Sequence, residues 1–453
     1  MSRKAPWVRI PPSPPVWVRA EKPSLSFYNI VLVFPSSVYR RDAIHKETLC
    51  VELNRNLATG RSMEEALSIP RPPLSAIFGS FFRLGLTAFG GPSMVAYIRK
   101  MSVDEKGWLD KETFDHGVAL CQMVPGATAM QTAAFVGLQA RGVSGAAASF
   151  IGFGLPAFFL MIGIAAAYTI TNRLPVVIST FSGLQAIIIA IVANAALSFG
   201  RSTLKSWRHF AIAGGAGLLF GLNLNPVWVI LIAGGAGWVL FRSHLPALVS
   251  NSQRSSTPST TRPLIAILFL AAAGFFLLFL FRRDWFDLAA LFTRIDLFAF
   301  GGGFASIPLM YHEVVDVRHW MDSATFLNGI ALGQVTPGPI VITATFIGYL
   351  LKGLWGAVLA TIAVFLPSFT IVIGVTPYFN RLRASSDFNQ IIQGVLCSFV
   401  GLLLAVTLQF AVKVQWDIAH ALLAVAALIA LIRKVDILWV VIAGILLSLL
   451  LIR

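Results

Sequence analysis

The chain has 453 residues, of which 57% are hydrophobic and 12% charged, about half the charged share of a soluble domain. Composition therefore excludes a soluble globular enzyme and points to a protein of the bilayer. The net charge of +15 is scattered between apolar runs and gathers on no single face, so it argues against a nucleic-acid partner and for basic loops beside membrane spans.

In chain order, residues 1 to about 70 stand apart. They are rich in Pro, Arg and Ser (APWVRIPPSPP) and show no helical period. The apolar stretch Ile30 to Phe34 is too short for a signal-peptide core or a span. This segment reads as disordered, or as an extension ahead of a true start near Met63. Apolar spans then follow at roughly 75–98, 113–139, 143–170, 175–199, 209–223 and 226–241. A polar linker within 242–263, SNSQRSSTPSTTRP from Ser250 to Pro263, has the composition of a flexible connection. Further spans are expected at roughly 264–281, 286–311, 324–351, 354–376, 388–412, 417–432 and 436–452. That makes about 13 stretches, most near the roughly 20 residues a crossing helix needs. The fold class expected is an all-α polytopic membrane protein with a first repeat over 71–241 and a second over 264–453.

The two halves are copies. FFRLGLTAFGGP from Phe81 matches LFTRIDLFAFGGG from Leu291. Arg83 pairs with Arg294, Trp108 with Trp320, Gln122 with Gln334 and Pro125-Gly126 with Pro337-Gly338, at an offset of 211 or 212. Thr132, Phe135, Gly137, Gly142, Gly145 and Pro156 pair with Thr343, Phe346, Gly348, Gly353, Gly356 and Pro367. Seven expected spans separate the starts of the copies. An odd number gives them opposite orientation, the inverted-repeat design of secondary transporters. Arg201, Lys205, Arg208, Arg242, Arg254, Arg262, Arg381, Arg383, Arg433 and Lys434 then share one side, the cytoplasm by the positive-inside rule. The basic stretch Arg99 to Lys111 falls on the other side, against that rule. It also carries Asp104, Glu105 and Asp110, and reads as an interfacial helix.

Three constructions are costly in lipid and so candidates for function. Arg83 and Arg294 lie in apolar spans, where arginine costs at least about 2.5 kcal/mol. They read either as snorkelling residues or as planar forks for an oxyanion. Gly90-Gly91-Pro92 and Gly301-Gly302-Gly303 interrupt the same two spans. Glycine costs a helix about 1 kcal/mol and proline about 3, and broken backbone must be buried in protein or line a cavity. Freed N–H groups there suit a small anion. Close helix packing is the plainer reading. Gln122-Met123-Val124-Pro125-Gly126 and Gln334-Val335-Thr336-Pro337-Gly338-Pro339 repeat the pattern, with Thr128, Gln131 and Thr343 close by as donors. Either they are kinks, or unwound backbone faces the first break so that four broken segments converge. Asp296 and Glu313 are candidate proton carriers.

Other chemistry is weakly supported. His312, Glu313, Asp316 and His319 share a helical face by spacing, but the first copy has no counterpart, so no metal is expected. No Gly-Lys-Ser/Thr phosphate loop is present, and no Ser/His/Asp or paired-carboxylate arrangement suggests hydrolysis. Cys50, Cys121 and Cys397 form no framework. No cofactor and no enzymatic activity are expected.

With FGGP and its upstream arginine, KGW and RHW in the following connection, and QMVPG and QVTPGP beyond, the chain resembles the chromate ion transporter family in its long two-domain form. The resemblance runs from about Ile77 to the C-terminus, over 80% of the residues. It implies two homologous halves of opposite topology in a bacterial inner membrane. It also implies export of chromate, driven by the proton motive force or by exchange for another ion. It places the arginine, glycine and proline roles on the positions named above. Gly85 faces Asp296, Pro92 faces Gly303 and Ala127 faces Pro339, so the halves are not equivalent. Sulfate and chromate are alike as tetrahedral dianions, so a sulfate transporter or a passive anion channel is the alternative. A second copy of the chain, as a homodimer, is a candidate partner beside the anion and the lipid bilayer.

Overall fold

In a computed structural model, the described residues are 72–89, 93–242 and 261–451, with the backbone of three short strands ahead of them. The strands, β1 Val8–Arg9, β2 Trp17–Ala20 and β3 Ile30–Val33, pair antiparallel in chain order, with Val8 opposite Val18 and Trp17 opposite Val33. The remainder of the 1–70 expectation and the linker of 243–260 lie outside the described residues. The chain divides into two units, Met1–Arg71 and Pro72–Arg453.

The second unit is helical among its described residues. The first half contains α1 Leu74–Thr87, α2 Ser93–Arg99, α3 Lys111–Met123, α4 Thr128–Thr171, α5 Pro175–Thr203, α6 Trp207–Gly221 and α7 Pro226–Leu240. After α8 Thr261–Phe281 the series repeats as α9 Arg283–Phe298, α10 Ser306–Tyr311, α11 Ser323–Val335 and α12 Thr343–Val375. The short α13 Phe379–Ala384 then leads into α14 Ser386–Lys413, α15 Ile418–Ile432 and α16 Ile437–Leu451. Among the described residues five helical stretches are long and apolar enough to cross a membrane, and α1, α7, α15 and α16 are shorter apolar helices. Large apolar side chains face outward, among them Phe269 and Val412, and α8 buries no residue. That surface suits hydrocarbon, where every backbone group is satisfied inside its own helix. The protein is a multi-pass membrane protein.

The helices α4 and α12 are each two legs. Arg141-Gly142 (φ −151° and 67°) and Lys352-Gly353 (φ −140° and 64°) leave the helical region at matched positions. Only glycine takes the left-handed φ at little cost. The chain reverses there, so Gly137 packs on the Gly145 backbone and Gly348 on that of Gly356. Eight residues of straight helix would hold those atoms about 12 Å apart.

The same test revises the expected spans. The run over 113–139 is not one crossing helix. The Phe135 ring fills the space beside Gly117, and Phe346 that beside Gly329, so α3 and α11 lie against the first legs of α4 and α12. The tips of these hairpins are Pro125-Gly126 and Pro337-Gly338. The segments over 75–98 and 286–311 also double back. Phe81 lies 6.4 Å from Trp108 between ring centroids, and Arg294 on α9 meets Glu313 beyond α10. A hydropathy window counts apolar residues and cannot see whether they cross or turn back at a buried tip.

Beyond its hairpins each half has one long helix and a pair of short ones. The long helix α14 packs α6 and α7 of the other half, with Gly401 on Ala213 and Gly394 on Ala233. In the same way α5 packs α15 and α16, with Gly444 against Ile187.

Candidate functional site

Proline ends α3 by withholding an N–H, and Gly126 then turns with φ +122°. Gly338 adopts the same φ, +122°. The Gly126 N–H donates to the Ala299 carbonyl at 2.9 Å, and the Gly338 N–H donates to the Ala88 carbonyl at 3.1 Å. Ala88 and Ala299 cap α1 and α9, where a helix runs out of its own donors. Each half therefore bonds its Pro-Gly tip to the carbonyl that ends the first helix of the other half. Both Pro-Gly tips thus meet the opposite half rather than their own. Of the glycine turns, Gly90, Gly91 and Pro92 lie outside the described residues. In the second half Gly301 and Gly302 have φ +89° and +99°. Gly302 approaches the Thr128 hydroxyl, and Gly303 lies against Ile340 and Val341.

Two stretches, 75–238 and 286–449, match the chromate transporter family. The chain belongs to that family. It is 40% identical over 381 residues to an uncharacterised transporter of Methanocaldococcus jannaschii, covering 83% of this chain and 94% of that protein. It is 28% identical to a chromate transport protein of Cupriavidus metallidurans, over 81% of this chain and 94% of that one. A chromate transport protein of Pseudomonas aeruginosa is 30% identical over 75% of this chain and 82% of its own. No solved structure matches it.

The polar groups of the crossing are unequal in this family member. Asp296 on α9 is fully buried, and its Oδ2 accepts the Ser368 N–H at 2.7 Å. The local cause is Pro367, which loosens α12 at this turn. It leaves the Ala363 carbonyl without its helical donor, and the Thr293 hydroxyl takes that place at 3.2 Å. The Ser368 hydroxyl in turn accepts the Ala127 N–H at 2.9 Å. Asp296 thus reaches the first half's tip through one serine. Gln131 is also buried and ties its amide to the Pro125 carbonyl at 2.6 Å. One oxygen of each side chain, Asp296 Oδ1 and Gln131 Oε1, is buried without a partner. The second half's tip lacks this set, because Ala157 borders Gly338 where Ser368 borders Gly126, and Gly85 stands at the position matching Asp296.

Ser368 was not singled out from the sequence. The signal available was the mismatch Pro156-Ala157 against Pro367-Ser368 just after a matched proline. Ser368→Ala should leave the Ala127 N–H buried and unpaired, at a cost of about 1–3 kcal/mol. A fall in thermal midpoint of the purified protein checks it, and an unchanged midpoint means the tip finds another acceptor.

The other candidates are placed as follows. Gln122 is exposed, while Gln334 is buried with its Nε2 unpartnered. Thr343 donates to the Ile340 carbonyl at 2.8 Å, closing its helix start. Arg83 is exposed, and its side chain makes no hydrogen bond or ion pair among the described residues. Arg294 and Arg318 both ion-pair with Glu313, which is buried between them.

Of the four side chains that share a face by metal spacing, Glu313 goes to these arginines and His319 Nδ1 faces the Val315 carbonyl at 2.8 Å. Asp316 lies 3.7 Å from Lys413 and 4.0 Å from His312. They do not converge.

Two polar chains also escaped the sequence reading. The Gln185 amide donates to Asn328 at 3.0 Å, and Asn328 donates to the Tyr168 hydroxyl at 3.1 Å, joining α5, α11 and α4. Ser182, His420 and Asp417 line up at 2.8 and 2.7 Å. Ser182 sits inside the continuous helix α5, whose backbone N–H groups are spent on the helix ladder. The row ties α5 to the N-terminal turn of α15. Bonding from the His420 N–H and ring holds the Asp417 carboxyl below its usual range.

Proposed function

We propose that the protein is a secondary transporter that moves chromate out of the cell across a bacterial inner membrane, driven by the proton gradient or by anion exchange. The reciprocal bonding of each Pro-Gly tip to the end of the opposite half's first helix carries this reading. Contacts that repeat with the halves exchanged are those of a two-fold relation, and buried broken helices are how transporters expose backbone donors at mid-membrane. Three full-length helical legs separate the copies, namely 143–171, Pro175–Thr203 and Thr261–Phe281. Three is odd, so the halves are inverted repeats even with the hairpins turning back.

The N-terminal turn of α4 supports passage of an anion through the crossing. Its first N–H groups have no intrahelical acceptors, and the Thr128 hydroxyl lies beside Gly302. Chromate is supported by the family and by the names of the Cupriavidus and Pseudomonas relatives. Asp296, rather than Glu313, is the proton carrier in this reading. Glu313 is held by two arginines, whereas Asp296 is buried with a vacant oxygen and no cation in ion-pair reach among the described residues.

Uptake of labelled chromate into inverted membrane vesicles tests the reading, with and without a proton gradient and with sulfate as competitor. Gradient-dependent chromate uptake is expected. Flux indifferent to any gradient would make the protein a channel, and uptake of sulfate alone would change the substrate. Arg83→Ala, which leaves a folded protein, should lower chromate flux by about tenfold or more, the effect of losing about 1.4 kcal/mol of anion binding. Wild-type flux in that variant would remove Arg83 from the path.

A further inference from the structure

One turn of the chain is built twice on the same backbone with opposite chemistry inside it. After α2 and α10 come π-helical turns, Lys100–Glu105 and His312–Val317. The Lys106 N–H donates to the Met101 carbonyl at 3.0 Å and the Arg318 N–H to the Glu313 carbonyl at 3.2 Å. Trp108 closes on Ser102 at 2.8 Å, and Trp320 on Val314 at 2.9 Å. Gly107 and His319 share a left-handed φ of 60° and 52°. Asp110 and Asp322 then cap the next helices through the Thr113 and Thr325 N–H groups. With the backbone repeated in this way, the side chain of Met101 starts where that of Glu313 starts.

In the second half that side chain is a carboxylate, 4% exposed as a residue, paired with both Arg294 and Arg318. In the first half it is an apolar methionine, 7% exposed. The two cations remain, as Arg83 and Lys106, with neither side chain in a hydrogen bond or ion pair among the described residues. The Phe81–Trp108 contact, 6.4 Å between ring centroids, brings the end of this turn back against α1, the helix that carries Arg83. Nearby acids do not replace the missing carboxylate. Glu105 lies 3.9 Å from Lys100, and Asp104 matches Asp316, which faces His312 and Lys413 rather than the arginines.

We infer that Glu313 is a built-in counter-anion that closes the cation pair of the second half to solutes, leaving Arg83 and Lys106 as the pair open to a tetrahedral dianion. The inference rests on the reading of the protein as an oxyanion transporter. Charge supports the assignment. Two arginines and one glutamate leave one net positive charge, already hydrogen-bonded, whereas Arg83 and Lys106 supply two for a doubly negative solute. Arginine offers two parallel N–H groups to such an ion, and lysine a mobile point charge. The asymmetry gives a duplicated protein one docking point instead of two.

Equilibrium dialysis of labelled chromate and sulfate against the purified full-length protein in detergent tests this. Wild type should bind one dianion per chain, E313Q two, and M101E none, with M101Q still binding one as the control for folding. E313Q remaining at one, or M101E binding as wild type does, would overturn the inference. The Met101 pair decides the matter alone if E313Q does not fold. Wild type binding none while E313Q binds one would overturn the assignment of Arg83 and Lys106 and leave the role of Glu313 standing. No binding by any variant would remove both.

Discussion

Asp296→Asn is expected to leave a folded protein whose gradient-driven chromate flux falls by about tenfold or more, while exchange of chromate for chromate without a gradient persists. Asparagine keeps an acceptor for the Ser368 N–H, now 2.7 Å from Asp296 Oδ2, so the link from α9 to α12 survives. What it removes is the vacant carboxyl oxygen, the place where a proton can come and go. A buried ionisable group inside a membrane protein is costly and marks ion or proton paths in transporters. The measurement is uptake into proteoliposomes under an imposed pH difference, beside counterflow at equal pH. Loss of both activities would make Asp296 a structural or substrate residue. Retention of gradient-driven uptake would remove it from coupling.

Gly126→Val is expected to cost more in stability than any other single change at the crossing. A residue other than glycine at φ +122° carries about 1–3 kcal/mol of backbone strain. Its Cβ would also meet the Ser368 hydroxyl and come 2.6 Å from the Gln131 amide. Such overpacking adds about 1–3 kcal/mol. The sum, about 2–6 kcal/mol, is a large part of a typical stability of about 5–15 kcal/mol. Gly142→Ala is the control, because Gly142 has φ +67° but no atom within 4 Å of a new Cβ. It should show strain alone and a smaller drop in thermal midpoint. Equal losses in the two variants would mean that the tip of the first half is not tightly enclosed.

These effects concentrate where the halves interlock, and that is also where the sequence was least explicit. The matched Gly, Pro and Trp positions were legible, and the structure repeats them with matched φ angles at Gly126 and Gly338 and at Gly142 and Gly353. The partner of each Pro-Gly tip was not legible, because nothing in one chain of letters says that Gly126 bonds to Ala299 rather than to its own half. Arg83 and Arg294 read as equivalents. Their difference came from Met101 and Glu313, which lie 18 and 19 residues further on and meet them only when the chain folds back.

By itself the sequence determined that the chain lives in a bilayer, that it is a duplication, and where its helices must break. Those follow from local physics: apolar length, the lost N–H of proline and the backbone freedom of glycine act wherever the residue stands. Only the tertiary structure decided that the broken segments turn back instead of crossing, that each tip enters the other half, and that Ser368 links Asp296 to the first of them. These depend on contacts between residues tens to hundreds of positions apart, whose energies no local pattern records.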